Sequence, residues 1–385
     1  MQQQTQVDLA TRLFELHEAQ TTELADQTHR QPTSAYLDPV LAQQEQRILF
    51  RQLPLLLCLS CELPNPGDYI VDDFSGIPII ALRTPSGGIK AYLNMCRHRG
   101  ARLKCDRGEG LSTLRCPYHA WSYKLDDGQL VNIPFETGFE DVDKSKTSLV
   151  PLPVSEQHGL VFVCPSQELA ENIEQFMDPC RDDLASYALE GYHHFETRVL
   201  EPKINWKLVV DTFLETYHLS TLHRTTIAPL LHSNLNTFTP MGPHLRMVAA
   251  RKTFQEMRQQ PEEQWDLLIH SAIVYVLFPN TVFLMQGDHL ETWRVYPGQT
   301  PNQSKMYVSL YTPEPTITDS ARQHWNNNMD LLMATVLKED FPLATNMQQD
   351  FREGHAHIVF GRNEPALQHF HKTVDRFLQQ NTTSP

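Results

Sequence analysis

Apolar and polar positions fall into three textures along the chain. Residues 1–44 are polar and Gln-rich, with helical spacing over Leu9–Glu18 and an irregular stretch near Gln31–Pro39. From about 45 to 165, short apolar or alternating runs are separated by Pro64-Asn65-Pro66-Gly67, Pro85-Ser86-Gly87-Gly88 and Asp126-Asp127-Gly128. Tyr69–Val71, Ile79–Leu82, Ile89–Asn94 and Gly159–Cys164 read as strands, and their spacing predicts a small all-β domain. Beyond about 166 the pattern is mixed. Asn205 is placed as the N-cap of a helix running from Trp206 towards Leu219. Ser271–Phe278 and Thr281–Gln286 predict a hairpin turning at Pro279-Asn280, followed by strands over His289–Tyr296 and Lys305–Tyr311. Over Ser320–Lys338, the residues Trp325, Met329, Leu332, Met333 and Val336 recur at helical spacing and predict a long amphipathic helix. An antiparallel sheet gripping a long helix is an α+β domain. The expected division is an N-terminal helical segment (1–44), an all-β domain (45–165) and an α+β domain (166–385).

The composition supports this division and removes several functional classes. A chain of 385 residues, 41% hydrophobic, can bury two or three cores. Its net charge of −14 argues against a nucleic-acid binder and against docking on an anionic membrane. The longest apolar run, Ala272–Phe278, is too short to span a bilayer. Met1-Gln2-Gln3-Gln4-Thr5 lacks a signal-peptide pattern, so the cytoplasm is the expected location. The seven cysteines (58, 61, 96, 105, 116, 164 and 180) are an odd number, better read as reduced thiols or metal ligands than as a disulfide framework.

Two constellations carry chemistry. In the first, Cys96-Arg97-His98 is followed, after 17 residues, by Cys116-Pro117-Tyr118-His119. Each segment supplies one thiolate and one imidazole, the inventory of a [2Fe–2S] cluster with two Cys on one iron and two His on the other. Neutral imidazoles lower the cluster's negative charge and raise its potential to roughly −150 to +300 mV, against about −400 mV for all-thiolate plant-type clusters. The competing reading is a structural zinc, but zinc modules more often pair Cys with Cys and His with His. Cys105 falls outside the pattern and is read as a packing cysteine. Cys58-x-x-Cys61 lacks a second pair and reads as buried structural cysteines.

In the second, Asp211, Glu215 and His218 stand at i, i+4 and i+7 and would share one face of the predicted helix. His223 follows five residues after His218, a rotation of about 140° on a regular helix. The two imidazoles converge on one metal only if the helix widens into a π-bulge or ends between them. Two His and one carboxylate form the facial triad of non-haem Fe(II) oxygenases. Asp340, expected just after the long helix, is the candidate carboxylate, with Glu339 and Asp350 as rivals. A helical His beside an acid is, in isolation, more often a surface pair or a satisfied core group.

Cys96-Arg97-His98-Arg99-Gly100 and Cys116-Pro117-Tyr118-His119-Ala120-Trp121-Ser122-Tyr123 resemble the Rieske motif of ring-hydroxylating oxygenase α subunits. Ala120 stands where glycine is more usual. The run from Asn205 to His223, and Glu339-Asp340 with Gln348, are similar to the iron-binding segments of the same family. The resemblance implies an all-β Rieske domain joined to a helix-grip catalytic domain. It also implies a [2Fe–2S] cluster on Cys96, His98, Cys116 and His119, and mononuclear Fe(II) on His218, His223 and Asp340. Glu215 takes the place of the acidic residue that links a cluster histidine of one subunit, here His119, to an iron histidine of its neighbour, here His218. Asp211 joins Glu215 as a candidate catalytic carboxylate, in a supporting position. Many aromatic dioxygenases carry Asp at the bridging point, whereas Glu also occurs in members that act on aliphatic quaternary amines. The implied assembly is a homotrimer, because cluster and iron within one subunit of the family lie too far apart. The implied partners are O₂, a small organic substrate, and an NAD(P)H-dependent reductase with or without a ferredoxin. The chain has no Gly-x-Gly-x-x-Gly after a strand and hence no dinucleotide fold of its own. The expected activity is hydroxylation, dihydroxylation or demethylation, as in aromatic catabolism. The competing classes are a Rieske electron-transfer protein without oxygen chemistry and a zinc-stabilised ligand-binding module. His355-Ala356-His357 and His369-Phe370-His371 read as surface or packing residues, and His289 as lining a pocket or packing.

Overall fold

The computed structural model describes residues 1–166, 172–353 and 356–382. Two compact units emerge, Phe50–Asp178 and a second formed by Met1–Leu49 with Pro179–Pro385.

The first unit is built from short antiparallel strands, as the turn spacing predicts. One sheet pairs Leu55–Leu59, Leu160–Val163 and Val154–Gln157. Another runs Tyr69–Asp72, Ile79–Arg83, Ile89–Leu93 and Pro151–Leu152. A small third sheet joins Leu114–Arg115, Ser122–Tyr123 and Leu130–Asn132. Alternation along the strands sends Ile80, Leu82 and Tyr92 into one core with Trp121 and Tyr123, and Ile79, Ala81 and Ala91 into another with Leu57 and Cys58. Cys58 is buried as expected, but Cys105 is exposed and is not a packing cysteine. It lies in an irregular loop between the strands, where no sheet covers it.

The second unit holds a seven-stranded antiparallel sheet. Its spatial order is His193–Leu200, Ser304–Thr312, Leu290–Pro297, Thr281–Met285, Ser271–Leu277, His244–Arg251 and Leu231–Met241. The hairpin predicted over 271–286 is present. The strands 193–200, 231–241 and 244–251 and the C-terminal helix Pro365–Thr382 were not legible from pattern. Many positions of 193–200 and 231–241 are only half-buried, which blurs alternation.

The N-terminal segment does not stand apart from this unit. Helix Gln3–Glu18 begins six residues before the predicted Leu9 and buries Leu9, Leu13 and Phe14. Phe14 packs against Phe254 and Trp265, with ring centroids 5.3 and 5.4 Å apart. His29–Pro32 pairs with His357–Phe360. The stretch read as irregular contains the helix Ser34–Leu37 and leads into a second, Pro39–Ile48, capped by Asp38, whose Oδ1 accepts from Val40 N and Leu41 N.

The long helix differs from expectation in a way that matters. It covers Asp319–Thr335, widens into a π turn at Val336–Asp340, and continues as Phe341–Asp350. Asp340 therefore lies inside a continuous helical rod, not beyond its end.

Candidate metal centres and cavity

In the first unit, the two Cys-His segments form matching loops. Cys96 O accepts from Gly100 N (3.0 Å) and Cys116 O from Ala120 N (3.1 Å). Cys96 N donates to Ala101 O and Cys116 N to Trp121 O, each at 2.8 Å. Both loops need a left-handed residue four positions after the cysteine, Gly100 at φ 73° and Ala120 at φ 58°. Glycine takes that conformation freely, whereas alanine is strained there. Cys96 and Cys116 are buried, and burial pushes the Cys96 thiol up. Tyr123 Oη accepts from Arg97 N (3.0 Å), so its hydroxyl proton is free to donate to Cys96 Sγ at 3.2 Å. His98 Nδ1 and His119 Nδ1 face each other at 3.1 Å. His98 stacks on Trp121, with centroids 4.8 Å apart and planes 7° from parallel. Two buried sulfurs with two facing Nδ1 atoms fit the donor set of a mixed Cys₂His₂ cluster.

In the second unit, Asn205 caps a helix as expected, but the helix ends at Asp211, after six residues. Its base is fixed by a buried ion pair between Lys207 Nζ and Glu45 Oε1, and Trp206 Nε1 donates to Glu45 Oε2 at 2.8 Å. Gln348 Oε1 accepts from Asn205 N, which ties the helix start to the far end of the long rod. Because the helix stops, Asp211 does not share a face with Glu215 and His218. It accepts from Tyr36 Oη (2.8 Å) and pairs with His371 Nε2 (2.9 Å), and it does not line the cavity described below. His371 is buried in that pairing, and His369 Nε2 donates to His244 O at 3.1 Å. His355 lies outside the described residues.

The chain turns irregularly over 212–218 and then forms a single short helix, Leu219–Leu222. His218 and His223 sit at its two ends, which resolves the five-residue gap by helix termination on both sides. The π turn is elsewhere, under the third donor. His223 Nε2 lies 3.1 Å from His218 Nε2 and 3.2 Å from Asp340 Oδ1, and His218 Nε2 lies 3.9 Å from the same oxygen. Three donors at right angles around a metal, with bonds of about 2.1 Å, stand about 3 Å apart. The measured triangle is close to that size.

The protonation pattern fits a cation. His218 Nδ1 donates to Glu215 Oε1, and His223 Nδ1 donates to Glu339 Oε2 at 2.6 Å. A carboxylate only accepts, so each Nδ1 carries a proton, and in the neutral ring the Nε2 lone pair is left on the side of Asp340. Burial would pull the His223 imidazole down, but Asp340 and Glu339 outweigh it and its pKa is raised. Glu339 is therefore a partner of the outer nitrogen of His223, supported by Thr226 Oγ1 at 2.8 Å, and not a member of the triangle. Asp350 is exposed on the following helix.

Residues 54–146 match the family description "Rieske [2Fe-2S] domain" and residues 189–380 match "Ring hydroxylating alpha subunit (catalytic domain)". The chain belongs to the Rieske ring-hydroxylating oxygenase α-subunit family. It is 32% identical to the glycine betaine monooxygenase oxygenase subunit of Chromohalobacter salexigens, over 60% of this chain and 52% of that protein. It is 31% identical to the carnitine monooxygenase oxygenase subunit of Acinetobacter pittii, over 50% and 52%. It is 30% identical to the anthranilate 1,2-dioxygenase large subunit of Acinetobacter baylyi, over 54% and 45%. The chain thus spans about half the length of the curated relatives it matches. Two solved structures share the fold. A quaternary ammonium Rieske monooxygenase in complex with L-carnitine superposes with a TM-score of 0.78 at 20% identity, over 97% of this chain and 99% of that one. Naphthalene 1,2-dioxygenase of Rhodococcus sp. bound to indole gives 0.71 at 18% identity, over 98% and 99%.

In this Rieske oxygenase α subunit, a cavity of about 310 Å³ opens beside His218, His223 and Asp340. The sheet supplies its floor and the long helix, through Asn328, Leu331, Leu332, Thr335 and Val336, one of its walls. His289 lines it, as one of the two sequence readings had it. His289 is held between Asp288 Oδ1 (2.7 Å) and Glu291 Oε1 (3.1 Å). Burial opposes the charge, yet the two carboxylates push the imidazole up to about 9. Arg251 and Gln286 also line the cavity and were missed. The available signal was the alternation Met247-Ala249-Arg251 on a strand that pattern alone did not reveal. Among the described residues, no helix is long and apolar enough to cross a membrane.

Proposed function

We propose that this chain is the terminal oxygenase component of a multicomponent Rieske oxygenase. It would take electrons from an NAD(P)H-dependent reductase, with or without a ferredoxin, and use O₂ to hydroxylate, dihydroxylate or demethylate a small aromatic or quaternary-amine substrate. The observation that carries this reading is the pair of donor sets on separate units, one of two thiols and two imidazoles, the other a tight triangle of His218, His223 and Asp340 beside a cavity. The domain at 45–165 would serve electron entry and that at 166–385 the oxidation. The named relatives act on glycine betaine, carnitine and anthranilate, which spans both proposed substrate types.

Cys96, His98, Cys116 and His119 would hold the [2Fe–2S] cluster, and His218, His223 and Asp340 the mononuclear iron. When bound, the first group supplies single electrons and the second supplies O₂ activation. The chain's own side chains do the rest. Glu215 and Glu339 keep the Nδ1 protons of His218 and His223 in place and so fix both rings. Leu219, Ile227, Leu331 and Leu332 line the substrate space with apolar surface. In a homotrimer, Glu215 would also accept from the partner subunit's His119, making electron transfer a property of the assembly. Glu215 Oε2 already accepts from Tyr217 N and His218 N, which holds the carboxylate rigid for that role.

An electron-transfer protein without oxygen chemistry would leave the three-donor triangle and its cavity without a task. A surrogate reductase supplied with aromatic and quaternary-amine substrates separates the two. Substrate-dependent O₂ uptake with an oxygenated or demethylated product is expected. Reduction of the cluster with no O₂ uptake for any substrate would overturn the oxygenase reading. Glu215→Gln is expected to keep both metals and stop coupled turnover, and normal product formation in that variant would refute the bridge.

A further inference from the structure

The cavity floor is ordered in rows. Met247, Val274, Leu284 and Glu291 are successive cross-strand neighbours, and Ala249 faces Ala272 in the next row. Two alanines side by side leave open space above the sheet. The side chain two residues further along the same strand face is Arg251. Its guanidinium is fixed from behind: Nε donates to Ser271 O at 3.1 Å and Nη2 to Gln286 Oε1 at 2.6 Å.

Arg251 carries a positive charge in a largely apolar space, and burial lowers its pKa while Asp288 and Glu291 oppose that. Neither acid pairs with it. Both are drawn onto His289, at 2.7 and 3.1 Å. Among the described residues, Arg251 makes no ion pair and its Nη1 makes no hydrogen bond. A guanidinium offers a planar fork suited to a carboxylate, and a desolvated one left unmatched is costly. The four carboxylates that line the cavity are engaged elsewhere, Glu215 with His218, Asp340 with His223, and Asp288 and Glu291 with His289, and most of the remaining wall is Leu, Ile, Val, Met and Ala with one aromatic ring, Phe213. At about 310 Å³ it is small for a ligand cavity, these being roughly 300–1,000 Å³.

We propose that Arg251, steadied by Gln286, is the specificity-determining anchor for a carboxylate on the substrate, and that the substrate is a small monocarboxylate whose apolar body extends over Ala249 and Ala272 towards His218, His223 and Asp340. This rests on the oxygenase reading of the same site and narrows its substrate class. Neutral hydrocarbons would leave the guanidinium unmatched and bind poorly.

The test uses matched pairs that differ only in charge at one end, benzoate with benzamide and glycine betaine with betaine amide. Each is titrated into the wild-type holoenzyme by calorimetry. The expected result is that at least one acid binds, about tenfold or more tighter than its amide. Arg251→Gln brings the two within about twofold, and Arg251→Lys keeps part of the difference. The wild-type comparison does not depend on a variant folding. Equal affinity within both pairs, or no binding of either acid at millimolar concentration, overturns the proposal. The same samples are then given a surrogate reductase. An acid that binds through Arg251 but is never oxidised leaves the anchor standing and counts against the oxygenase reading. Oxidation of amide and acid at equal efficiency supports the oxygenase reading and overturns the anchor.

Discussion

Glu339 Oε2 lies 2.6 Å from His223 Nδ1, while Oδ1 of the next residue, Asp340, lies 3.2 Å from Nε2 of the same ring. Adjacent helical residues project about 100° apart. The two carboxylates therefore hold one imidazole from both nitrogens, and the π turn at Val336–Asp340 is the local distortion that accompanies this grip. Glu339 accepts from Nδ1 and orients the ring, and Asp340 faces Nε2.

Removing the orienting partner has a defined consequence. Outer partners of metal-bound imidazoles are worth about 10–100-fold in metal affinity. Glu339→Ala is expected to lose mononuclear iron at chelator concentrations about 10–100-fold lower than wild type, with the visible spectrum of the cluster unchanged. Competition with a chelator, followed by metal analysis, checks this.

Tyr123 acts on the other centre. Its hydroxyl is positioned to donate to Cys96 Sγ at 3.2 Å, and hydrogen bonds to cluster sulfur stabilise the reduced state. Tyr123→Phe is expected to lower the reduction potential of the cluster, measured by a spectroelectrochemical titration, without loss of iron. An unchanged potential would mean that the hydroxyl serves only Arg97 N.

Ala120 tests backbone strain. At φ 58° it occupies the place that Gly100 fills in the matching loop. The left-handed conformation costs alanine about 1–2 kcal/mol, and the greater freedom of an unfolded glycine returns part of that. Ala120→Gly is expected to stabilise the Rieske unit by about 1 kcal/mol or slightly less. Ala101→Gly, at a position without positive φ, is expected to destabilise it. Thermal unfolding of the two variants beside wild type compares them.

His289 provides a pH signature. Its pKa rises from 6.5 to about 9 in the folded protein. A raised pKa means that the folded state holds the proton more tightly. The stabilisation is fully present below about pH 6.5 and is lost as pH climbs through about 9. The whole effect is at most about 3 kcal/mol. The stability gap between wild type and His289→Gln should therefore shrink between pH 6.5 and 9.5, followed by unfolding midpoints across that range. A gap independent of pH would show that Asp288 and Glu291 do not hold a charged ring.

The sequence carried the ligand types and strand-rich texture because these depend on local spacing. Cys96, His98, Cys116 and His119 could be grouped from a single motif. The pairing of His218 with His223 was legible only as a demand for an irregular helix, and the chain meets it by ending the helix at Asp211 and capping a short one with both histidines. Asp340 was nominated by motif, but its place in a π turn depends on the rod continuing to Asp350, which Pro342 concealed. Asp211 looked equivalent to Glu215 by spacing, and the break between them sends it to Tyr36 and His371. Arg251 was invisible because its role comes from its surroundings in the fold: Ala249 on its own strand, Ala272 on the next, and Gln286 and His289 in the turn between two further strands.

Two iron centres with separate ligand sets on one chain are the feature on which the proposed function rests. The most direct measurement is iron and acid-labile sulfide content, with electron paramagnetic resonance of the reduced protein, for wild type and His223→Ala. Wild type is expected to hold about three irons and two sulfides per chain, and the variant about two irons with the cluster signal intact. Equal iron content in the two proteins, or loss of the cluster signal together with the third iron, would contradict it.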